Sequence, residues 1–170
     1  MTSFVALLRA VNVGGTGKLP MSDLKDICEE LGFASVRTYI ASGNVVFTSR
    51  ESEAAIKAAL EKRLEAYADK PVGALVRTGA EMAQVFADNP FPKAAPNRTM
   101  AVFLDRAPPA DTLAGIRGQR DEQVRLGRRE IYIHYGQGMA ASKLVIDAAK
   151  SGTARNMNTV ATLARMAAEP

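Results

Sequence analysis

The residues of this chain best equipped for chemistry are cationic and amide side chains set beside glycine-rich turns. Gly14-Gly15-Thr16-Gly17-Lys18 stands immediately ahead of a helix that Pro20 opens. A glycine-rich turn before a helix presents backbone N–H groups and Lys18 adds a charge, so a small anion can rest there. A tight turn that uses glycine only for its backbone freedom has the same sequence. It is not a nucleotide-hydrolysing phosphate loop. Asn12 stands where that motif needs its first glycine, and Leu19 stands where it needs a magnesium-binding hydroxyl.

Arg9 carries more information. Strand alternation places Val5, Leu7, Arg9 and Val11 on one face and Phe4, Ala6, Leu8 and Ala10 on the other. A guanidinium on a central strand is costly to bury alone, so Arg9 either pairs with a protein carboxylate or lines a site for an external anion. Arg37, Tyr39, Ser42 and Asn44 lie on the hairpin expected beside it. A second polar stretch, Ser151 to Thr159, opens the last helix. Thr153 is placed to cap that helix and Arg155 to reach an acid, a backbone carbonyl or a ligand oxygen; a purely structural capping and docking motif fits equally.

Other chemistries find less support. His134, the only histidine, alternates with apolar neighbours and has no companion ligands for zinc or iron, so no metal site is expected. An enzyme would need His134 or Tyr39 as its proton carrier. Cys28 lies on an apolar helical stripe, which predicts a buried, inert thiol. There is no Gly-x-Ser-x-Gly elbow, and no cofactor-binding pattern.

The 170 residues hold 22 Lys+Arg against 18 Asp+Glu, with 47% hydrophobic and 24% charged residues. That balance belongs to a globular chain and excludes a disordered or fibrous one. A single cysteine forms no internal disulfide, no apolar run reaches a membrane span, and Arg9 interrupts the apolar start, so a cytoplasmic, membrane-free protein is expected. Between Arg117 and Arg165 nine Lys/Arg face four acids, an excess of five. Such a basic half attracts phosphates, nucleic acid included, or is simply a solvated surface.

The elements that must position these residues read as follows. Phe4 to Val13 is a strand, and Leu24, Ile27, Cys28 and Leu31 mark a helix stopped by Gly32. Val36–Ala41 and Asn44–Thr48 flank the two-residue turn Ser42-Gly43. A helix over Glu51–Ala68 and a strand over Val72–Val76 complete β-α-β-β-α-β, the ferredoxin-like plan. Residues 79–98 read as a short helix and a proline-rich connector. Residues 99–170 read as β-α-β-β-α-α: a strand at Met100–Leu104, a short helix at Asp111–Ile116, a hairpin about Gly127-Arg128, and helices over Ser142–Lys150 and Asn156–Ala168. The expected architecture is therefore α+β, a ferredoxin-like subdomain over 1–78 packed against a smaller subdomain over 99–170, the latter a partial echo without a residue-level repeat. An RNA-recognition module shares the first half's order, but Phe4 and Phe47 are too few aromatics for its stacking platform.

Four blocks carry a resemblance. Ala6–Gly15 with Leu19-Pro20-Met21, Val36–Phe47, Asn89-Pro90-Phe91, and Ser142-Lys143-Leu144 with Arg155–Val160 resemble, in order, the signatures of the bacterial family called domain of unknown function 1697. The family pattern usually has Gly at Ala10, Thr at Ala154, Trp at Met157 and a lysine near Ala161 or Thr162. The resemblance implies a compact α+β protein and no particular activity. The residues themselves predict a small anionic ligand, phosphorylated or nucleotide-like, held between the two halves by Arg9, Asn12, Gly14, Gly15, Lys18, Arg37, Asn44, Lys143, Arg155 and Asn156. The alternatives are a nucleic-acid binder using the basic half and a polar seam with no ligand at all.

Overall fold

The computed structural model describes residues 1–11 and 18–169. The chain divides into two compact units, Met1–Ala83 with Leu163–Pro170, and Gln84–Thr162.

The first unit follows the expected order: β1 (Thr2–Leu8), α1 (Met21–Glu30), β2 (Ala34–Thr38), β3 (Asn44–Ser49), α2 (Glu53–Ala68), β4 (Ala74–Thr78) and α3 (Gly79–Ala87), which crosses into the second unit. The strands form an antiparallel sheet in the order β2-β3-β1-β4. Alternation decides which face meets the helices. Phe4, Ala6, Leu8, Val45, Phe47 and Val76 point to Leu24, Ile27 and Cys28 of α1 and Ile56, Leu60 and Leu64 of α2, all in one buried cluster. Phe33, Phe47 and Phe4 stack through it, with centroids 4.3 and 6.0 Å apart. These aromatics are thus in the core, where no nucleic-acid base can stack on them. Ser52 starts α2 by accepting the Ala55 N–H at 3.1 Å, and Asp69 ends it in the left-handed region at φ 56°.

Strand β1 stops at Leu8, short of the expected Val13. Ala10 has φ 52°, which breaks the extended path. The last residues are held from both sides, the Leu8 N–H by the Gly43 carbonyl at 2.9 Å and the Arg9 N–H by the Gly73 carbonyl at 2.8 Å. Strand β4 is an edge, and α2 supplies partners for the backbone of its first residue, Ala74. Glu61 Oε2 accepts the Ala74 N–H at 2.9 Å, and Lys57 Nζ donates to the Ala74 carbonyl at 2.6 Å while pairing with the same Glu61. Unpaired edge groups invite another strand, and this device occupies them. Replacing Glu61 with Ala strands a partly buried N–H; we expect a loss of about 1–2 kcal/mol in urea unfolding, and an unchanged midpoint would refute the role.

The second unit holds β5 (Thr99–Phe103), β6 (Gln123–Leu126), β7 (Glu130–His134), β8 (Thr153–Asn156) and the start of α4 (Met157–Ala168), whose last turns belong to the first unit. Its sheet order, β6-β7-β5-β8, repeats that of the first. Register repeats as well: Val5 faces Arg77 and Leu7 faces Asn44, as Ala101 faces Arg155 and Phe103 faces Glu130. At each fourth strand a buried arginine returns its Nη1 to the preceding carbonyl, Arg77 to Val76 at 3.0 Å and Arg155 to Ala154 at 2.9 Å. The next residue caps the following helix, Thr78 accepting the Glu81 N–H at 3.1 Å and Asn156 the Thr159 N–H at 2.9 Å. The expected faint echo is a complete repeat of strand order.

Three expectations for this half are corrected. The helix read over Ser142–Lys150 is absent; Leu144 and Ile146 alternate in extended chain, Val145 pairs with Arg117, and only a 3-10 turn forms at Asp147–Ser151. The helix read over Asp111–Ile116 is a 3-10 turn at Leu113–Gly115. The stretch after Gly152 is strand β8, so Asn156 and not Thr153 caps the last helix. Two short turns thus occupy the sequence positions that α1 and α2 hold in the first unit.

Candidate functional site

The ends of three connectors meet at one end of the first sheet, where β1 finishes and β4 begins. Arg9 follows β1, Lys18 and Leu19 precede α1, and Lys70 to Val72 join α2 to β4. Together with Leu64, Tyr67 and Val11 they line a cleft of about 500 Å³. Gly73 makes the arrangement possible, because a Cβ there would lie 2.9 Å from Arg9 Cδ. The arginine stem therefore crosses bare backbone, and its half-buried guanidinium reaches the cleft. The β2–β3 turn backs the opposite wall: a Cβ on Gly43, at φ 90°, would come within 2.5 Å of Val11 Cγ2. Tyr67 closes one side, its hydroxyl donating to Asp23 Oδ2 at 2.6 Å, and this bond pushes the phenol pKa up. Among the described residues the lining holds three cations and no carboxylate.

Of the ten residues read from sequence, Arg9 and Lys18 share this cleft. Asn12, Gly14 and Gly15 lie outside the described residues. Arg37 is engaged elsewhere in the same unit, its Nη2 donating to the Met166 carbonyl at 2.6 Å in the last turns of α4, where a cation suits the helix dipole. Asn44 is fully buried and organises the hairpin, its Nδ2 reaching the Tyr39 carbonyl at 2.8 Å and Ser42 Oγ at 2.9 Å. Lys143, Arg155 and Asn156 belong to the second unit. Lys143 is exposed. Arg155 donates to Thr153 Oγ1 at 2.7 Å besides the Ala154 carbonyl, and burial lowers its pKa to about 10, so it stays charged at neutral pH. Lys70 and Tyr67 were missed by sequence reasoning. They sit at the end of α2 and in the connector after it, and only tertiary folding brings them to Arg9.

The second unit has a polar knot of its own. Glu122 accepts from the Ser142 hydroxyl and from the Arg120 N–H, and these bonds hold its carboxyl below the usual range. His134 is fixed by Thr99. The Thr99 hydroxyl gives its proton to the Ala95 carbonyl at 3.0 Å, so His134 Nδ1, 3.2 Å away, is the donor. Among the described residues no group of three His, Cys, Asp or Glu is set to hold a metal, and no helix is long and apolar enough to cross a membrane.

Fold and site define a mixed α+β protein, its described residues forming two antiparallel four-stranded sheets and four α-helices, with a cleft lined by cations at one end of the first sheet. The chain belongs to the family of proteins of unknown function DUF1697, whose pattern matches residues 1–132. The match covers the blocks in the first half and at Asn89-Pro90-Phe91; those at Ser142–Leu144 and Arg155–Val160 lie beyond it. Over its whole length the fold resembles that of the conserved bacterial protein SP0830 from Streptococcus pneumoniae, with 22% identity, a TM-score of 0.80 and 98% of each chain covered. No curated protein matches the chain. Ala10, where the resemblance drawn from the sequence places glycine, has at φ 52° the left-handed backbone that glycine adopts at least cost.

Proposed function

We propose that the protein binds a small anionic ligand, phosphorylated or nucleotide-like, in the cleft of the first unit. The observation that supports this reading is the convergence of Arg9, Lys18 and Lys70 on a cleft of about 500 Å³. A guanidinium grips paired oxygens through a forked donor set, and two ammonium groups add charge without fixing geometry. Leu19, Leu64, Val11 and Val72 give the ligand an apolar wall, and the volume falls within the range of small-molecule sites.

Thermal unfolding with inorganic phosphate, pyrophosphate and nucleoside monophosphates tests the reading. A ligand at a hundred times its Kd adds about 2.7 kcal/mol, which raises Tm by roughly 5–11 °C for a chain of this size. Lys18→Ala, at an exposed position, and Arg9→Ala should each weaken binding about tenfold or more, the worth of one charged hydrogen bond. Flat melting curves across the panel at millimolar concentration would remove the proposal.

A further inference from the structure

Tyr67 is an aromatic side chain fixed in place with nothing stacked on it. Its hydroxyl donates to Asp23 Oδ2 at 2.6 Å, so the ring runs from α2 to the first turn of α1 and is held at both ends. It is 40% exposed and lines the cleft of the first unit beside Leu64. Other aromatic rings are engaged: Phe4, Phe33 and Phe47 stack in the core, and Phe91 lies under the Arg125 guanidinium. Among the described residues no ring and no cation stacks on Tyr67. A ring fixed in advance loses little rotamer freedom on binding, and its flat face attracts a second flat π-system.

The neighbours of the ring are apolar. Val11, Leu19, Leu64 and Val72 line the same cleft. Such walls favour a ligand with a planar, weakly hydrated body over one covered in hydroxyls, whose hydrogen bonds to water they could not replace. A nucleobase has that body, and about 500 Å³ is the room of a site for a molecule of nucleotide size.

We propose that the ligand of this cleft is a nucleoside monophosphate with its base stacked on Tyr67. The inference rests on the anion reading above and adds the part of the ligand that the ring selects. Tyr67 is then the residue that separates a nucleotide from a bare sugar phosphate.

Calorimetry on the full chain compares AMP, ribose 5-phosphate and adenosine. AMP should bind tightest, with ribose 5-phosphate at least about fivefold weaker, since stacking on an aromatic side chain is worth about five- to 150-fold per base. Tyr67→Leu, at an exposed position, keeps an apolar side chain without a π face. It should bring AMP down to the level of ribose 5-phosphate and leave ribose 5-phosphate itself unchanged. Tyr67→Phe loses the Asp23 bond but keeps the face, and should keep an AMP advantage. Upfield shifts of the Tyr67 ring protons with AMP, and none with ribose 5-phosphate, report the stack directly. Equal binding of AMP and ribose 5-phosphate, or an AMP advantage that survives Tyr67→Leu, overturns this inference and leaves the anion reading standing. AMP no tighter than adenosine removes the anion reading, and the nucleotide with it. Silence from all three compounds removes both.

Discussion

A thiol reagent such as a disulfide-exchange dye will modify Cys28 at least about a thousandfold more slowly in the native protein than in the urea-unfolded chain. The thiol is fully buried on the inner face of α1, and that burial, with the Glu29 charge second, pushes its pKa from 9.0 to about 12. Only the thiolate attacks, so this rise lowers the reactive fraction by about a thousandfold at any pH below 9, before access is counted. What reaction remains passes through opening of the first unit, so the ratio of native to unfolded rates reports the stability of that unit. Stopped-flow rates at pH 8, with and without denaturant, make the comparison. A native rate within tenfold of the unfolded one would mean that α1 does not cover the sheet.

Gly118→Ala should be among the most damaging single-methyl changes in the second unit. Gly118 has φ 70°, and a Cβ there would press into the Lys143 carbonyl oxygen, a backbone atom that cannot turn aside. Left-handed strain costs about 1–2 kcal/mol and overpacking about 1–3 more, so we expect a loss near 3 kcal/mol and a Tm lower by about 6–12 °C. The damage falls on a defined place. Gly118 follows Arg117, whose backbone pairs with Val145, so the substitution pushes these two paired segments apart. Denaturant unfolding measures the loss. A variant within 0.5 kcal/mol of wild type, the ordinary range for neutral surface changes, would show that the Gly118–Lys143 approach is not close.

What sequence could and could not reveal divides along physical lines. The first unit was legible because its elements are strongly patterned: the Leu24–Ile27–Cys28 stripe marks a helix, and the short unbroken apolar run Phe4–Leu8 ahead of a glycine-rich turn marks a buried strand. The β2–β3 connection was legible only in part: Gly43 does end it, at φ 90°, but the turn is the five residues Tyr39–Gly43 and not Ser42-Gly43 alone, because Ile40 at φ 51° breaks the extended run read as far as Ala41. The second unit obscured itself. Strand β8 is four residues with two polar side chains and a buried arginine, against every burial preference, and Leu144–Ile146 is too short to separate helix from strand by period. In the cleft, Arg9 and Lys18 were legible because a charge at a strand end and a lysine in a glycine turn are locally anomalous. Lys70 carries no local signal, since a lysine after a helix is ordinary until folding places it beside Arg9. Arg37 and Asn156 drew notice for the right reason, an unusual charge or amide, yet each has a partner in the fold: the Met166 carbonyl and the Thr159 N–H.

The return of Leu163–Pro170 to the first unit has a consequence for how the molecule is made. Arg37 takes its partner from Met166, and Gly79 leaves room for Ala167, where a Cβ would lie 3.0 Å from the alanine methyl. Both contacts need residues translated only after the whole of Gln84–Thr162 has emerged. A nascent chain paused on the ribosome with its first 83 residues outside holds the β-α-β-β-α-β sequence but lacks its closing segment. Completion of the first unit thus waits for synthesis of the second, and the second, continuous in sequence, is the one free to finish first.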